Sequence, residues 1–204
     1  LLLTGTSLEA RTDEEATVTT IFQTLKPKSL RFMRSGETAL PIFGLHGLVV
    51  DAGANFIHLV PQYSSSVLQA ATYLPLGGNT ITQRLSRYMQ SLGFALTDKE
   101  LDDLKKEVVM VSPSGAVEDM EQVPAKQFKL RNGATVTIPG KYRCDAAEIL
   151  FRPELEGRPI GGLAQAIKDC VDRCPIDTRR DLLANVCLTG LFCTNLQICF
   201  SPVL

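Results

Sequence analysis

Three β-rich runs, Leu48-Val49-Val50-Asp51, Phe56 to Tyr63 and Val67 to Leu76, follow one another with only short turns between them. A parallel pair needs a crossover of about a dozen or more residues, so runs this close form an antiparallel meander. This excludes a purely helical bundle and any sheet built only from βαβ units. The flanking chain carries helical periodicity on both sides, so the fold class is α/β.

Upstream, Leu1 to Thr4 reads as the end of a buried strand. Asp13 to Thr24 reads as a helix entered through acidic residues that suit a helix N-terminus. A second helix is expected through Leu30 to Leu40, interrupted at Ser35 and Gly36 and ended by Pro41. After the meander, Thr80 to Leu92 puts Ile81, Leu85, Tyr88, Met89 and Leu92 on one stripe, with Gly93 closing it. Thr97-Asp98-Lys99-Glu100 is a capping box, and the helix it starts has Leu101, Leu104, Val108 and Val111 as its stripe. Ser112 to Ala125 is the linker candidate. Asn132-Gly133, between Phe128-Lys129-Leu130 and Thr135 to Ile138, predicts a hairpin with a type I′ turn. Helices around Leu163 to Val171 and Asp177 to Ala184 lead to a buried strand, Val186 to Thr189.

Composition narrows the function. The 204 residues carry 21 Lys plus Arg against 22 Asp plus Glu, and the basic residues are scattered, so direct nucleic-acid binding is not expected. The apolar stretches fall short of the ~20 residues that span a bilayer, no secretory leader is visible, and the chain reads as soluble. Its start at Leu1 without Met suggests a trimmed or partial product. Six cysteines lie in the last third. Cys170 and Cys174 have helical spacing and no second Cys or His pair follows, so reduced thiols are expected rather than a zinc site.

The chemistry concentrates at the first turn of the meander. A strand ending in Asp, then a glycine turn, then a strand suits a phosphate cradle. Asp51 can reach a metal-bound water, while Ala52, Gly53 and Ala54 let backbone N–H groups approach phosphate oxygens. The same pattern more often makes an ordinary tight turn. His58, on a strand with apolar neighbours, fits a packed, hydrogen-bonded core histidine better than a catalytic one.

The surrounding residues resemble the actin family. Gly47-Leu48-Val49-Val50-Asp51-Ala52-Gly53-Ala54-Asn55-Phe56-Ile57-His58-Leu59-Val60-Pro61 is similar to the second phosphate-binding loop of actin. Leu76-Gly77-Gly78-Asn79 resembles its Leu-Ala-Gly-Arg, and Leu3-Thr4 and Phe22-Gln23-Thr24 resemble its Leu-Thr and Phe-Glu-Thr. Arg143-Cys144, Leu150-Phe151-Arg152-Pro153 and Asp177 to Asn185 resemble Arg-Cys, Leu-Phe-Gln-Pro and Asp-Ile-Arg-Lys-Asp-Leu-Tyr-Ala-Asn. The likeness runs from about Leu2 to Gly190.

The resemblance implies an actin-like ATPase fold, ribonuclease-H-like, mainly the second lobe with its helical insert, and incomplete. Residues 1–46 would end the first lobe, 47–77 and 112–204 would form the second, and 78–111 the insert. It implies ATP or ADP with Mg2+ or Ca2+, bound weakly, at Asp51, Gly53, Gly78, Lys105 and Gly190. Asp51 would serve the cation through water and His58 would be a vestigial water-orienting residue. It also implies other actin-family subunits or actin-binding proteins as partners, with no membrane, in the cytoplasm and cytoskeleton or else the nucleus.

Departures from the family pattern argue against catalysis. Ala54 stands where the family has a phosphate-loop aspartate, Asn55 where it has a glycine, and Arg34 where a glutamine orients the lytic water. Lys106 replaces a ribose-holding glutamate, and Leu191 and Phe192 break the adenine-binding glycine turn that begins at Gly190. The first phosphate loop has no counterpart, and Leu191 to Leu204 is an unfamiliar apolar run. The expectation is a non-enzymatic, actin-related structural and interaction protein of a cytoskeletal or chromatin assembly. The alternatives are an ATPase nearer the sugar kinases or heat-shock chaperones, and a truncated non-functional isoform.

Overall fold

A computed structural model describes residues 2–5, 11–34, 44–112 and 117–190. Their contacts divide the chain into two units, one of Leu1–Asp51, His58–Tyr73 and Asp169–Thr189, the other of Ala52–Ile57, Leu74–Lys168 and Gly190–Leu204.

In the first unit, β1 (Leu2–Gly5) and β2 (Arg31–Arg34) pair in parallel, with α1 (Arg11–Thr24) in the connection between them. A parallel pair requires such a crossover. The helix expected through Leu30 to Leu40 is therefore corrected at its start, where pairing with β1 overrides local propensity; residues 35–40 lie outside the described residues. The second sheet has the order β5-β4-β3-β9, with β6 also on β4. It comprises β3 (Gly47–Ala52), β4 (Ile57–Tyr63), β5 (Ser66–Val67), β6 (Thr72–Leu74) and β9 (Val186–Thr189).

The meander is present, but its expected third strand is two short ones. Leu68 N–H donates to Pro61 O and Ala71 N–H to Leu68 O, which turns the chain away from the ladder between them. Ser64 and Ser65 both take positive φ, 51° and 61°, so the β4–β5 hairpin closes through the primed geometry that suits strand twist. Ser64 N–H donates to His46 Nδ1, bracing that turn. β9 lies parallel to β3, opposing Val49 with Cys187 and Asp51 with Thr189. Val49, Val60 and Cys187 form a buried cluster with Val67 against it. Contrary to the expected buried strand, β9 is mostly half-buried.

The second unit is largely helical. α2 (Gly78–Ser91) buries Ile81, Leu85 and Met89, whereas Leu92 stays exposed and Gly93 closes the helix at φ +83°. In α3 (Asp98–Val108), Thr97 and Glu100 complete the expected capping box, and Leu101, Leu104 and Val108 are buried. Glu100 reaches further. Its other oxygen accepts from Arg131 N–H at 3.2 Å, hooking the β7 (Lys126–Lys129) and β8 (Thr135–Ile138) hairpin onto α3.

That hairpin has the expected place and register but not the expected turn. Only Gly133 has positive φ, at +88°, and its N–H donates to Leu130 O while Leu130 N–H donates to Ala134 O. This is a type I turn followed by a left-handed glycine, the three-residue loop with a bulge. The expected linker Ser112 to Ala125 contains a helix, α4 (Val117–Gln122), whose Met120 is buried. α5 (Gly140–Glu148), unforeseen from the sequence, packs against both α4 and α2. Arg143 donates from Nε to Val108 O and from its guanidinium to Pro124 O, placing a cation at the C-terminus of α3. After a 3-10 turn at Pro153–Glu156 come α6 (Leu163–Asp172) and, back in the first unit, α7 (Arg179–Ala184).

Charge ties α2 to α5 and the 3-10 turn. Arg84 makes a bidentate pair with Asp145, both bonds 2.9 Å, and a 2.7 Å bond to Glu156, which Arg87 also holds. Burial pushes the Glu156 carboxyl up, but hydrogen bonds and charge from Arg87 and Arg84 outweigh it and hold it below the usual range. For Glu148, burial dominates and raises it despite Arg152, with Asp145 and Glu154 adding to the rise.

The two acids pull stability in opposite directions. Glu156 contributes stability above the ordinary carboxylate value, lost as pH falls through its depressed folded value. Glu148 imposes a penalty that is full above its raised folded value and gone below the ordinary value of about 4.3. Glu148→Gln should therefore raise the urea midpoint at neutral pH, with the gain shrinking to nothing in acid. Urea titrations of both chains across pH check this; a gain unchanged by pH contradicts it.

Candidate functional site

Helix α2 begins at a residue that has no side chain to cap it. The N-cap is Gly77, in extended backbone, and the first amides of a helix are left without intrahelical partners. Here the loop after β3 supplies those partners. Gly78 N–H donates to Gly53 O at 3.1 Å and Asn79 N–H to Ala54 O at 2.7 Å. The loop is itself closed by Gly53 N–H on Phe56 O at 2.9 Å. A side-chain bond, Asn79 Nδ2 to Asn55 Oδ1 at 2.8 Å, ties the same two segments again.

This approach leaves no room for side chains. A Cβ on Gly77 would lie 2.5 Å from Ala54 O and 2.6 Å from Gly53 O. Gly190, at φ +103°, would bring its Cβ within 2.2 Å of Ala52 O. Gly53 is under less pressure, since its Cβ would meet only Phe56 O at 3.1 Å. Three glycines that the resemblance marked therefore differ physically: Gly190 is required by both conformation and space, Gly78 is used through its N–H, and Gly53 is used through both N–H and carbonyl.

Lys105 lies in the same unit but is occupied. Its Nζ donates to Thr82 Oγ1 at 2.9 Å and pairs with Asp102 at 2.9 Å, and Thr82 Oγ1 donates in turn to Gly78 O. A chain of polar contacts thus runs from the start of α2 to α3. The sequence pointed to Lys105 but not to Thr82, whose role needs the packing of the two helices to become visible.

In the first unit, Asp51, next to last in β3, is almost fully buried, and its Oδ1 accepts from Thr189 Oγ1 at 3.3 Å. Thr189 was missed from the sequence because the two residues are paired only by the parallel register of β3 and β9. His58 is buried on β4 with its ring 6.2 Å from that of Tyr73. Arg34 is placed on β2 opposite Gly5 by backbone pairing.

Among the described residues the thiols are not arranged for chemistry. Cys144, Cys170, Cys174 and Cys187 are free and buried. Burial raises all four, Cys170 to about 11, which disfavours the reactive thiolate. Among the described residues no cluster of three or more His, Cys, Asp or Glu could hold a metal ion, and no helix is long and apolar enough to cross a membrane.

Comparison with known proteins adds two findings. The family model described as Actin matches residues 97–193, a stretch that includes Lys105 and most of the second unit and ends just past Gly190. An actin-like protein of Neurospora crassa is 29% identical over 203 residues, covering 93% of this chain and 53% of that protein. The chain thus spans about half the length of the curated relative it matches.

The space around Gly190, Gly77 and Gly53 predicts an order of tolerance. Gly190→Ala and Gly77→Ala should each destabilise by about 1–3 kcal/mol or more, while Gly53→Ala costs less. Urea midpoints of the three variants give the ranking. Equal losses would contradict the reading of close backbone approach.

Proposed function

Because the chain belongs to the actin family, we propose that it is an actin-related structural and interaction protein of a cytoskeletal or chromatin assembly whose adenine-nucleotide site no longer supports turnover. The observation that carries this reading is the engagement of the Gly78 and Asn79 amides by the carbonyls of Gly53 and Ala54. A helix N-terminus binds phosphate through N–H groups that point at it, and here two of those donors close the loop instead.

ATP or ADP with Mg2+ or Ca2+ is the group that the family implies, and the residues fit it only in part. Gly190 lies close against the Ala52 carbonyl, and the buried carboxylate of Asp51 is the group that would serve a cation through water. Ala54 offers an exposed methyl where the family has a carboxylate, and Lys105 is engaged by Thr82 and Asp102. Loss of one electrostatic group typically costs about 10² to 10³ in rate. The losses at Ala54 and Arg34 act in the same direction, so hydrolysis is negligible and His58 keeps a packing role. Partners are then other actin-family subunits or actin-binding proteins, met through surfaces rather than chemistry, in the cytoskeleton or the nucleus.

Titration of the purified chain with Mg-ATP should give weak binding and no turnover above buffer. Ala54→Asp should strengthen the divalent-dependent binding. Hydrolysis at an actin-like rate, abolished by Asp51→Ala, would overturn the proposal in favour of a working ATPase.

A further inference from the structure

We propose that Asn132 is a modification site, at which the side-chain amide is lost spontaneously by closure onto the backbone nitrogen of Gly133, leaving aspartate or isoaspartate. Both residues are exposed at the tip of the β7–β8 hairpin. A Cβ built on Gly133 would meet nothing within 4 Å, so no neighbouring group crowds the turn at that residue. Of the chain's five asparagines, Asn132 is the one followed by glycine. Asn55, Asn79, Asn185 and Asn195 precede Phe, Thr, Val and Leu, whose side chains crowd the attacking nitrogen.

The step balances without an external oxidant or cofactor. Gly133 N attacks Cγ of Asn132, the N–Cγ bond forms, the Cγ–Nδ2 bond breaks, and Nδ2 leaves as ammonia with the proton lost from Gly133. Water then opens the cyclic imide at either carbonyl, giving aspartate when the Cγ side opens and isoaspartate when the main-chain side opens. The turn assists where charge develops: Ala134 N–H donates to Asn132 Oδ1 at 2.9 Å, a donor set on the oxygen that becomes negative as Gly133 attacks. The proton to be removed is on Gly133 N, which donates to Leu130 O at 3.0 Å in an exposed turn that solvent base can reach.

The modification changes how the hairpin is held. Arg131 N–H is bonded to Glu100 Oε1, and its guanidinium lies 4.0 Å from Asp103. A new carboxylate at position 132 stands beside these acids. Isoaspartate also adds a methylene to the main chain, which breaks the Leu130 to Ala134 turn and draws Arg131 away from Glu100. The hairpin tip is then released from α3 while the Thr97 capping box stays.

The full chain, held in mildly alkaline buffer and sampled over time, tests this by peptide mass analysis and by labelling with an isoaspartyl methyltransferase. Amide loss should run at Asn132 ahead of the other four asparagines. Asn132→Ser, whose hydroxyl can still accept from Ala134 N–H, should lose the methyl label, and amide exchange at Arg131 should quicken in the aged chain. Amide loss at Asn132 no faster than at the other four, or a label that persists in Asn132→Ser, overturns the proposal.

Discussion

The start of α2 depends on a loop, not on a side chain, to satisfy its first amides. Most helices begin at Ser, Thr, Asp or Asn, whose oxygen accepts from the second or third helical N–H. Gly77 has none. The carbonyls of Gly53 and Ala54 take that part, which demands a backbone approach so close that a Cβ on Gly77 would not fit. The position of α2 follows, and with it the packing of Ile81, Leu85 and Met89 and the placing of Arg84 against Asp145 and Glu156.

The same contact bears on function. Amides at a helix start can serve a ligand or the fold, and an N–H already bonded to a carbonyl at 2.7 Å offers little to a phosphate. On the proposed reading the loop is kept for its structural value, with Gly53, Gly78 and Gly190 at the positions the resemblance marks, while the acidic and lysine groups around it are lost or acquire internal partners. Ala54, and Lys105 on Thr82 and Asp102, fit that pattern.

Legibility in the sequence followed the range of the interaction. The capping box at Thr97 and Glu100, the stripe of α2 and the site of the β7–β8 hairpin depend on residues a few positions apart and were visible. The turn type at Gly133 was not, because Asn-Gly suits more than one loop and the register of Lys129 with Thr135 selects among them. β2 was misread because its partner lies beyond a whole helix. α5 escaped notice because Pro139 and Gly140 look like a turn, and because its buried face, Cys144, Ala146, Ala147 and Glu148, carries small and polar residues rather than an apolar stripe. Within the site, Asp51, Gly53 and Gly78 stood out through resemblance. Thr189, Thr82 and the Asn55–Asn79 bond required strands and helices to be brought together first.

Amide exchange at Gly53, Gly78 and Asn79, followed by NMR with and without Mg-ATP, tests the central claim most directly. If the loop caps α2 as described, all three amides are protected in the nucleotide-free chain, and neither their protection nor their chemical shifts change when the nucleotide is added. Rapid exchange without nucleotide, followed by protection and shifts at Gly78 and Asn79 on adding Mg-ATP, would contradict it, since those donors would then be held for phosphate and not for the loop.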